Sequence, residues 1–341
     1  MNKFVKISMI IIGIIILLIL LLIIISFVNH KIKLKKEDKL FKTNGKFVEV
    51  NNHNINVYVS GNSNSDTTLV FMSGGGTCSP TLDFKTLYSL FENDYQIAVV
   101  EKAGYGFSDI SDIDRGIDTI LFETRESLNK AGIKNNQYIL FPHSMSGIEA
   151  LYWANKYPDE IKGIVGLDPA VPKAYENMKI NNKLFTLAKF GADIGLTRFI
   201  PSIVNSSSAI KDGDLTDEEK ELYRVIFYRR TETTSMLNEV KSIKENAKKL
   251  ESIDTTNVPM LFFASNGEGT GYAKEEWRKF IIDYINSKQN GEYKILECSH
   301  YVHNIEYQKI YNESMKFINK LQWQITSYRV DDYNLLYFFD F

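Results

Sequence analysis

The chain has 341 residues, and its 40 Lys and Arg are almost balanced by 42 Asp and Glu, which leaves a net charge of −2. A nucleic-acid binder that depends on phosphate contacts carries a basic excess or patch, so this balance argues against that class. With 2 cysteines, neither a disulfide scaffold nor a dense cysteine-based metal centre can be built. No group of His, Asp and Glu has metal-ligand spacing. We therefore predict no metal, no cofactor and no nucleic-acid partner.

The chain opens with a long apolar run, Ile7 to Val28, that contains no charged residue. A helix of that length reaches about 33 Å, which is enough for a hydrocarbon core of about 30 Å. A cleaved signal peptide is the alternative, but its apolar region is about 7–15 residues long and ends at a small-x-small site, which this run lacks. We predict a retained, single-pass membrane anchor over residues 1–30, with the lipid bilayer as its partner.

The side of the cell membrane that the rest of the chain occupies is left open. Lys3 and Lys6 precede the apolar run, whereas a cluster of lysines from Lys31 to Lys36 follows it. This excess slightly favours an internal body, although long domains can be translocated regardless of such charges. Residues 31–45 are predicted to form a polar stalk.

From residue 46 onward the pattern is that of short strands. The segments 47–50 and 55–59 alternate apolar and polar residues around the turn-prone segment 51–54, as a β-hairpin does. Further short apolar runs alternate with helical patterns, which indicates a largely parallel sheet with helices on both faces. These runs are 68–72, 96–100, 138–141, 161–167, 259–264 and 293–296. We predict an α/β fold with an eight-stranded, mostly parallel sheet.

The alternation of strands and helices breaks between Leu167 and Val258. About 90 residues pass without a strand pattern, and an insertion of that length is unlike a bare loop. Thr216, followed by the acidic segment 217–219, has the composition of a helix start. We predict a helical cap over one edge of the sheet at about residues 171–256.

In open α/β sheets, ligands bind beyond the carboxyl ends of the strands, so the residues after each strand are the site candidates. The run 138–141 is followed by residues 142–147, Pro-His-Ser-Met-Ser-Gly, which lead into a helical segment. This turn around Ser144 resembles the nucleophile elbow of the α/β-hydrolase family, Gly-x-Ser-x-Gly. Pro142 and Ser146 stand where the family has glycines, and a capped helix start is the alternative interpretation.

The resemblance implies a triad in the chain order Ser, acid, His. His300, after the last predicted strand, occupies the family's position for the base, and His303 is the competitor. Glu268, after the penultimate strand, falls at the family's acid position and can orient the imidazole as an Asp would. Asp168, at the end of the strand after the elbow, is the alternative acid. The predicted triad is Ser144, His300 and Glu268.

An acyl-transfer enzyme also needs N–H donors for the developing oxyanion. The segment 72–77, Met-Ser-Gly-Gly-Gly-Thr, resembles the family's His-Gly loop with Ser73 in place of His. The resemblance implies Gly75 and Met145 as the two donors. Nucleotide-binding loops have a different glycine spacing, which this segment lacks.

The segment 99–109 also resembles the turn after the family's fourth strand, and its Glu-Lys pair is expected to shape the loop rather than to catalyse.

Cys78 and Cys298 both lie in loops predicted at the catalytic edge. In the family's strand order their strands are about four positions apart, or roughly 19 Å, whereas a disulfide needs Cα atoms within about 7 Å. We therefore predict that no disulfide joins them.

The resemblance, which covers residues 48–320, implies a membrane-anchored serine hydrolase that cleaves a small acyl ester or amide through an acyl-enzyme. We assign the hydrolase domain to residues 46–320 and an aromatic C-terminal tail to residues 321–341. Other activities of the fold, such as an aminopeptidase, a lyase or a haloperoxidase-like enzyme, are one alternative. A non-catalytic, membrane-tethered binding module is another, and the departures at Pro142, Ser146 and Ser73 support it.

Overall fold

The structure is a computed structural model that describes residues 3–133 and 137–336, with side chains as far as residue 322. Its sheet has eight strands in the order β1-β2-β4-β3-β5-β6-β7-β8. The strands are β1 Lys46–Val50, β2 His53–Gly61, β3 Thr68–Met72, β4 Gln96–Glu101, β5 Tyr138–Ser144, β6 Ile161–Pro169, β7 Met260–Ala264 and β8 Gly291–Ile295. Each overlaps a predicted run. The central strands β3 to β7 are buried along nearly their whole length and are therefore largely apolar, whereas the edge hairpin β1–β2 alternates buried and exposed residues.

The sheet is antiparallel at one end and parallel elsewhere. Strand β2 pairs antiparallel with β1 and with β4, and the remaining strands pair in parallel. The β1–β2 hairpin turns at Asn51 and Asn52, whose φ values of 52° and 62° suit a two-residue turn that matches the strand twist. The predicted eight-stranded, mostly parallel α/β fold is confirmed, with a tighter hairpin turn than expected.

Helices cover both faces of the sheet, and each face has its own apolar core. One core contains residues of the helices at 117–131, 146–156, 234–251 and 274–286, and the other contains residues of the helices near residues 80–88 and 302–322. The helices are α1 Lys3–Glu37, α2 Pro80–Asp83, α3 Lys85–Tyr88, α4 Ile117–Ala131, α5 Ser146–Lys156, α6 Pro172–Glu176, α7 Asn182–Asp193, α8 Ser202–Asn205, α9 Ser208–Lys211, α10 Asp217–Arg230, α11 Thr234–Glu251, α12 Lys274–Asn286, α13 Val302–Ile305 and α14 Tyr307–Leu336. Short 3₁₀ helices lie at Pro158–Glu160 and Leu196–Phe199.

Helices α6 to α11 lie between β6 and β7 in the chain, where the break in the strand pattern was. We call residues 172–251 the insertion. Helix α10 begins at the predicted place, because Thr216 and Glu219 form a capping box in which each side chain accepts from the other's backbone N–H. The region between the two strands is therefore helical, as expected.

Helix α1 is long and apolar enough to cross a membrane, by length and composition. It runs without a break to Glu37, so the first part of the predicted stalk, residues 31–45, is a continuation of the same helix. Its buried residues are Ser26 and His30, which contact the insertion. The helix and the insertion are therefore packed together at this point.

The C-terminal helix α14 passes through residue 320, where the sequence placed the end of the domain. The predicted tail, 321–341, therefore begins inside a helix rather than after one. Side chains beyond residue 322 and the whole of residues 337–341 lie outside the described residues.

Both cysteines are buried and free. Cys78 follows β3 and Cys298 follows β8, and the strand order places those two strands four positions apart. The observed separation of the two strands, four positions, is therefore the one expected from the family's strand order.

Candidate active site

Ser144 lies on a sharp turn between a strand and a helix. It is the last residue of β5, and α5 begins two residues later at Ser146. Its φ of 54° is in the left-handed region, which is uncommon for a residue with a side chain and costs conformational energy. A turn of this kind lifts a nucleophilic side chain above the end of the sheet.

The two departures from the family's glycine pattern are compatible with this turn. The Ser146 hydroxyl lies 2.6 Å from the Met72 carbonyl oxygen and 2.8 Å from that of His143, so it links the elbow to β3. Close packing falls instead on Gly147, where a Cβ atom would clash with the Ala170 backbone oxygen. Pro142 lies opposite Met72 in the parallel β3–β5 pair.

Asp168 provides a fully buried carboxylate beside the elbow. Its Oδ2 lies 2.5 Å from His300 Nδ1. Its Oδ1 accepts hydrogen bonds from the Ser265 backbone N–H at 2.7 Å and from Trp277 Nε1 at 2.9 Å. Since a carboxylate is an acceptor only, three donors hold it in one orientation. Asp168 also has a positive φ, 53°, which Asp tolerates better than most residues do.

The structure does not bring the Glu268 side chain to His300. Glu268 is exposed, and its contact with His300 is through the backbone, where the Glu268 carbonyl oxygen accepts from the His300 N–H at 2.9 Å. The Asn266 side chain accepts from the Glu268 N–H at 2.9 Å and turns the loop after β7 so that its main chain faces the histidine. The assignment of the acid to Glu268 therefore disagrees with the geometry, and the alternative, Asp168, is the carboxylate at the imidazole.

Two further histidines pack around His300. The His143 ring centre is 4.5 Å from that of His300, and its Nε2 lies 3.1 Å from the His300 carbonyl oxygen. Burial and the neighbouring histidines hold the pKa of His143 well below its usual value, so the neutral ring donates from Nε2. His303, the competitor for the base, pairs with Asp83 at 2.9 Å from its Nε2, and both side chains are buried.

The glycine loop after β3 lies directly against the elbow. A Cβ atom on Gly74 would lie 2.7 Å from Ser144 Cβ, and one on Gly75 would lie 2.8 Å from Met145 Cε. A larger residue at position 74 would therefore displace the nucleophile, which explains a glycine there. Gly75 and Met145, the predicted oxyanion donors, are neighbours in space.

Ser144 and His300 line one pocket of about 170 Å³. The insertion and the loop after β7 provide much of its wall, and the Tyr272 hydroxyl donates to the Ala174 carbonyl oxygen across it. In the parts of the chain that the structure describes, no three His, Cys, Asp or Glu side chains are placed to hold a metal. The remaining lining residues are Gly75, His143, Ala174, Tyr175, Met178, Gly269, Thr270, Tyr272, Trp277 and Tyr301.

Two uncharacterized proteins from Bacillus subtilis (strain 168) are similar to this chain in sequence. YbdG is 37% identical over 305 residues, which cover 87% of this chain and 92% of YbdG. YqjL is 26% identical over 244 residues, which cover 71% of this chain and 79% of YqjL. No protein-family model matches the chain.

Solved structures with the same architecture include three enzymes by description. A putative lipase (lip1) from Acinetobacter baumannii has a TM-score of 0.60, 14% identity and coverage of 86% of this chain and 97% of its own. The haloalkane dehalogenase DbeA from Bradyrhizobium elkani has a TM-score of 0.60, 13% identity and coverage of 82% and 98%. A structure from a study of carboxylesterases of Nitrososphaera gargenis has a TM-score of 0.57, 13% identity and coverage of 82% and 100%. At these identities the likeness shows the fold.

The chain has the α/β-hydrolase fold and belongs to the same family as YbdG. Three residues of the site were not predicted from local sequence patterns. Trp277 on α12 contacts the Asp168 carboxylate and packs edge-on against His300, with ring centres 5.7 Å apart. Tyr175 and Met178 enter the pocket from the insertion. None of these residues belongs to a motif, because their place in the site depends on helix packing alone.

The Glu-Lys pair at the end of β4 shapes the fold and does not line the pocket that contains Ser144 and His300. Glu101 is fully buried and accepts from the Phe107 N–H at 2.7 Å, which closes the turn. Lys102 forms buried ion pairs with Glu149 of α5, at 2.6 Å, and with Glu239 of α11. Burial raises the pKa of Glu149 to about 7. The pair thus ties the insertion to the sheet, in agreement with a structural rather than a catalytic role.

Proposed function

We propose that this protein is a serine hydrolase that cleaves an ester or amide bond of a small acyl substrate. The observation that carries the proposal is the contact of His300 with the buried Asp168 carboxylate in a pocket that Ser144 also lines. A Ser hydroxyl is a weak nucleophile, and it needs a nearby imidazole that an acid keeps in the right tautomer. Ser144, His300 and Asp168 are the proposed nucleophile, base and acid.

In the proposed mechanism, Ser144 Oγ attacks the substrate carbonyl carbon while His300 Nε2 takes its proton. Asp168 stabilises the imidazolium that forms, and the backbone N–H groups of Met145 and Gly75 donate to the oxyanion. The imidazolium then protonates the leaving alcohol or amine, and the acyl-enzyme remains on Ser144. Water, deprotonated by His300, attacks the acyl carbon and releases the acid and the free serine.

We further propose that α1 anchors the enzyme in the cell membrane as a single span within residues 1–30. The hydrolase domain would occupy residues 46–320, and the insertion would be its cap, because Ala174, Tyr175 and Met178 form part of the pocket wall. Substrate entry would then depend on this helical segment. The apolar length of α1 and its position at the N-terminus support the anchor.

A fluorophosphonate probe, which acylates activated serines, tests the hydrolase proposal. Folded wild-type protein should be labelled, and Ser144→Ala should not be labelled. Ser299→Ala, beside the base but outside the proposed triad, is the matched control and should react like wild type. An unlabelled, folded wild type would overturn the proposal in favour of a non-catalytic binding module. A panel of acyl esters of rising chain length and of aminoacyl amides would then define the substrate.

A further inference from the structure

Large apolar side chains are exposed on one segment of the insertion. They lie on α7, on the 3₁₀ helix at Leu196–Phe199 and just beyond it, and their exposed fractions range from 45% to 65%. Single exposed apolar residues are ordinary on a soluble protein, but a cluster within so short a segment marks an interaction surface. We call this cluster the apolar face; its residues are Leu184, Leu187, Phe190, Leu196, Phe199 and Ile200.

Three residues that lie between members of the apolar face in the chain, Ile194, Gly195 and Arg198, contact helix α1 directly. The Ser26 hydroxyl donates to the Ile194 carbonyl oxygen at 2.6 Å, and Arg198 Nε donates to His30 Nδ1 at 2.8 Å. The helix also passes so close to Gly195 that a Cβ atom there would clash with His30. These three residues are therefore packed against the last turn of the apolar run in α1, while the side chains of the apolar face stay exposed beside it.

These contacts determine the depth at which the apolar face would lie in a membrane. The uncharged run of α1 ends at Val28, between the two contact residues Ser26 and His30. If this run fills the hydrocarbon core, the contact lies at the boundary between the acyl chains and the headgroups. Leu196 and Phe199 flank the contact, so they lie at this boundary too.

Charged groups hold the insertion in this position. Arg198 is buried and makes two parallel hydrogen bonds to the Glu37 carboxylate, at 2.7 and 2.8 Å, a strong geometry for an ion pair. Arg229 of α10 pairs with Asp38, the residue after Glu37, at 3.0 Å. These ion pairs lie just C-terminal to the apolar run of α1, and they hold the insertion in a defined orientation against this helix.

We propose that the apolar face docks on the lipid bilayer and lies in the boundary between headgroups and acyl chains beside α1. The occupant is the bilayer itself, since the face is continuous with the proposed span and shares its level. Lys183 of α7 is exposed and precedes Leu184 of the apolar face, where its ammonium group would meet lipid phosphates. The proposal rests on the proposed anchoring by α1, but it does not depend on catalysis.

Site-specific fluorescence in vesicles tests this docking with the full chain. Leu187→Cys and Phe199→Cys, each labelled with an environment-sensitive nitrobenzoxadiazole dye, are reconstituted in phosphatidylcholine–phosphatidylglycerol vesicles. Nitroxide on the acyl chains quenches dye in the bilayer, and iodide quenches dye in water. Phe122→Cys, on the distant helix α4 and 52% exposed, is the matched control. The signal from any dye on the buried native cysteines is measured with the unsubstituted chain and subtracted. Circular dichroism verifies that each variant is folded, and Ile200→Cys replaces any variant that is not.

We expect dye at positions 187 and 199 to emit at shorter wavelength and to be quenched by lipid nitroxide, and dye at 122 to be quenched by iodide alone. If iodide quenches the dye at positions 187 and 199 as strongly as it does at 122, the proposal is overturned. If neither quencher reaches the dye at 187 and 199, the apolar face is covered by a second copy of the chain, which also overturns the proposal. Leu18→Cys, inside α1, separates the two hypotheses. Lipid quenching at 18 without quenching at 187 and 199 leaves the anchor standing and removes the docking; quenching at none of the three removes both.

Discussion

Two buried His–Asp pairs lie side by side in this protein, and only one of them borders the pocket. His300 contacts Asp168, and His303, three residues later, contacts Asp83. The ring of His143 packs against both histidines, with ring centres 4.5 and 4.7 Å away. The two pairs therefore share residue types, burial and a neighbour.

Their surroundings differ. His300 lines the pocket together with Ser144, and the Asp168 carboxylate accepts two further hydrogen bonds, from Ser265 just after β7 and from Trp277 of α12. His303 is fully buried, and its ring packs on Phe84 of the α2–α3 region at 4.7 Å. A His–carboxylate contact by itself therefore does not identify a catalytic base. A base must also lie within reach of the nucleophile and of the substrate.

The sharpest test of this comparison substitutes the two histidines in parallel. His300→Gln should lower the hydrolysis of an activated ester such as p-nitrophenyl acetate by about 10⁶-fold, because the base is lost. His303→Gln should change the rate by less than about 10-fold while it lowers the melting temperature. Equal losses of rate in two folded variants would remove the distinction between the pairs.

The acid is tested by the corresponding pair of carboxamides. Asp168→Asn should lower kcat by about 10⁴-fold, because the amide no longer holds the imidazole in the productive tautomer. Glu268→Gln, at the exposed position, should leave kcat within about 2-fold of wild type. Full activity in Asp168→Asn with loss in Glu268→Gln would return the role to Glu268.

The second pair is expected to act on stability. Asp83→Asn should lower the free energy of unfolding by about 3 kcal/mol, because it breaks a buried His–carboxylate contact. Denaturant unfolding of the detergent-solubilised protein measures this loss, and Asp283→Asn, 62% exposed in its pair with Lys279, is the control. A rate that falls as steeply as it does in Asp168→Asn would place Asp83 in the catalytic machinery.

The shared neighbour, His143, should make stability depend on pH. Its pKa is lowered in the folded state, so the folded protein binds fewer protons than the unfolded chain, whose histidine titrates near the ordinary value of 6.5. The stability linked to this group is present above about pH 6.5 and is lost as the pH falls below that value.

In His143→Gln, which keeps a donor for the His300 carbonyl oxygen, this dependence should disappear. From pH 7 to pH 5.5, wild type should lose about 1 kcal/mol of unfolding free energy relative to the variant. Unfolding curves at the two pH values measure the difference, and a constant difference would mean that His143 is not held neutral.

Local patterns in the chain predicted the strands and the turn at Ser144, and they pointed to His300 as the proposed base. Each of the eight strands overlaps an apolar or alternating run, because burial on one face or both dictates which residues a strand can contain. The small residues around Ser144 are those that a left-handed turn and a close helix approach require. His300 follows β8 at the edge where the strands end.

The tertiary structure alone decided which carboxylate lies at the His300 imidazole and which residues contact helix α1. Asp168 lies at the end of β6 and Glu268 follows β7, and both reach the neighbourhood of His300, one with a carboxylate and the other with a carbonyl oxygen. Which of the two meets the imidazole depends on the backbone turn at each residue and on donors from Ser265, just after β7, and from α12, far away in the chain. The contact of α1 with Arg198 likewise joins segments more than a hundred residues apart. Such contacts leave no local pattern, because the chain between them is free to vary as long as the fold brings their ends together.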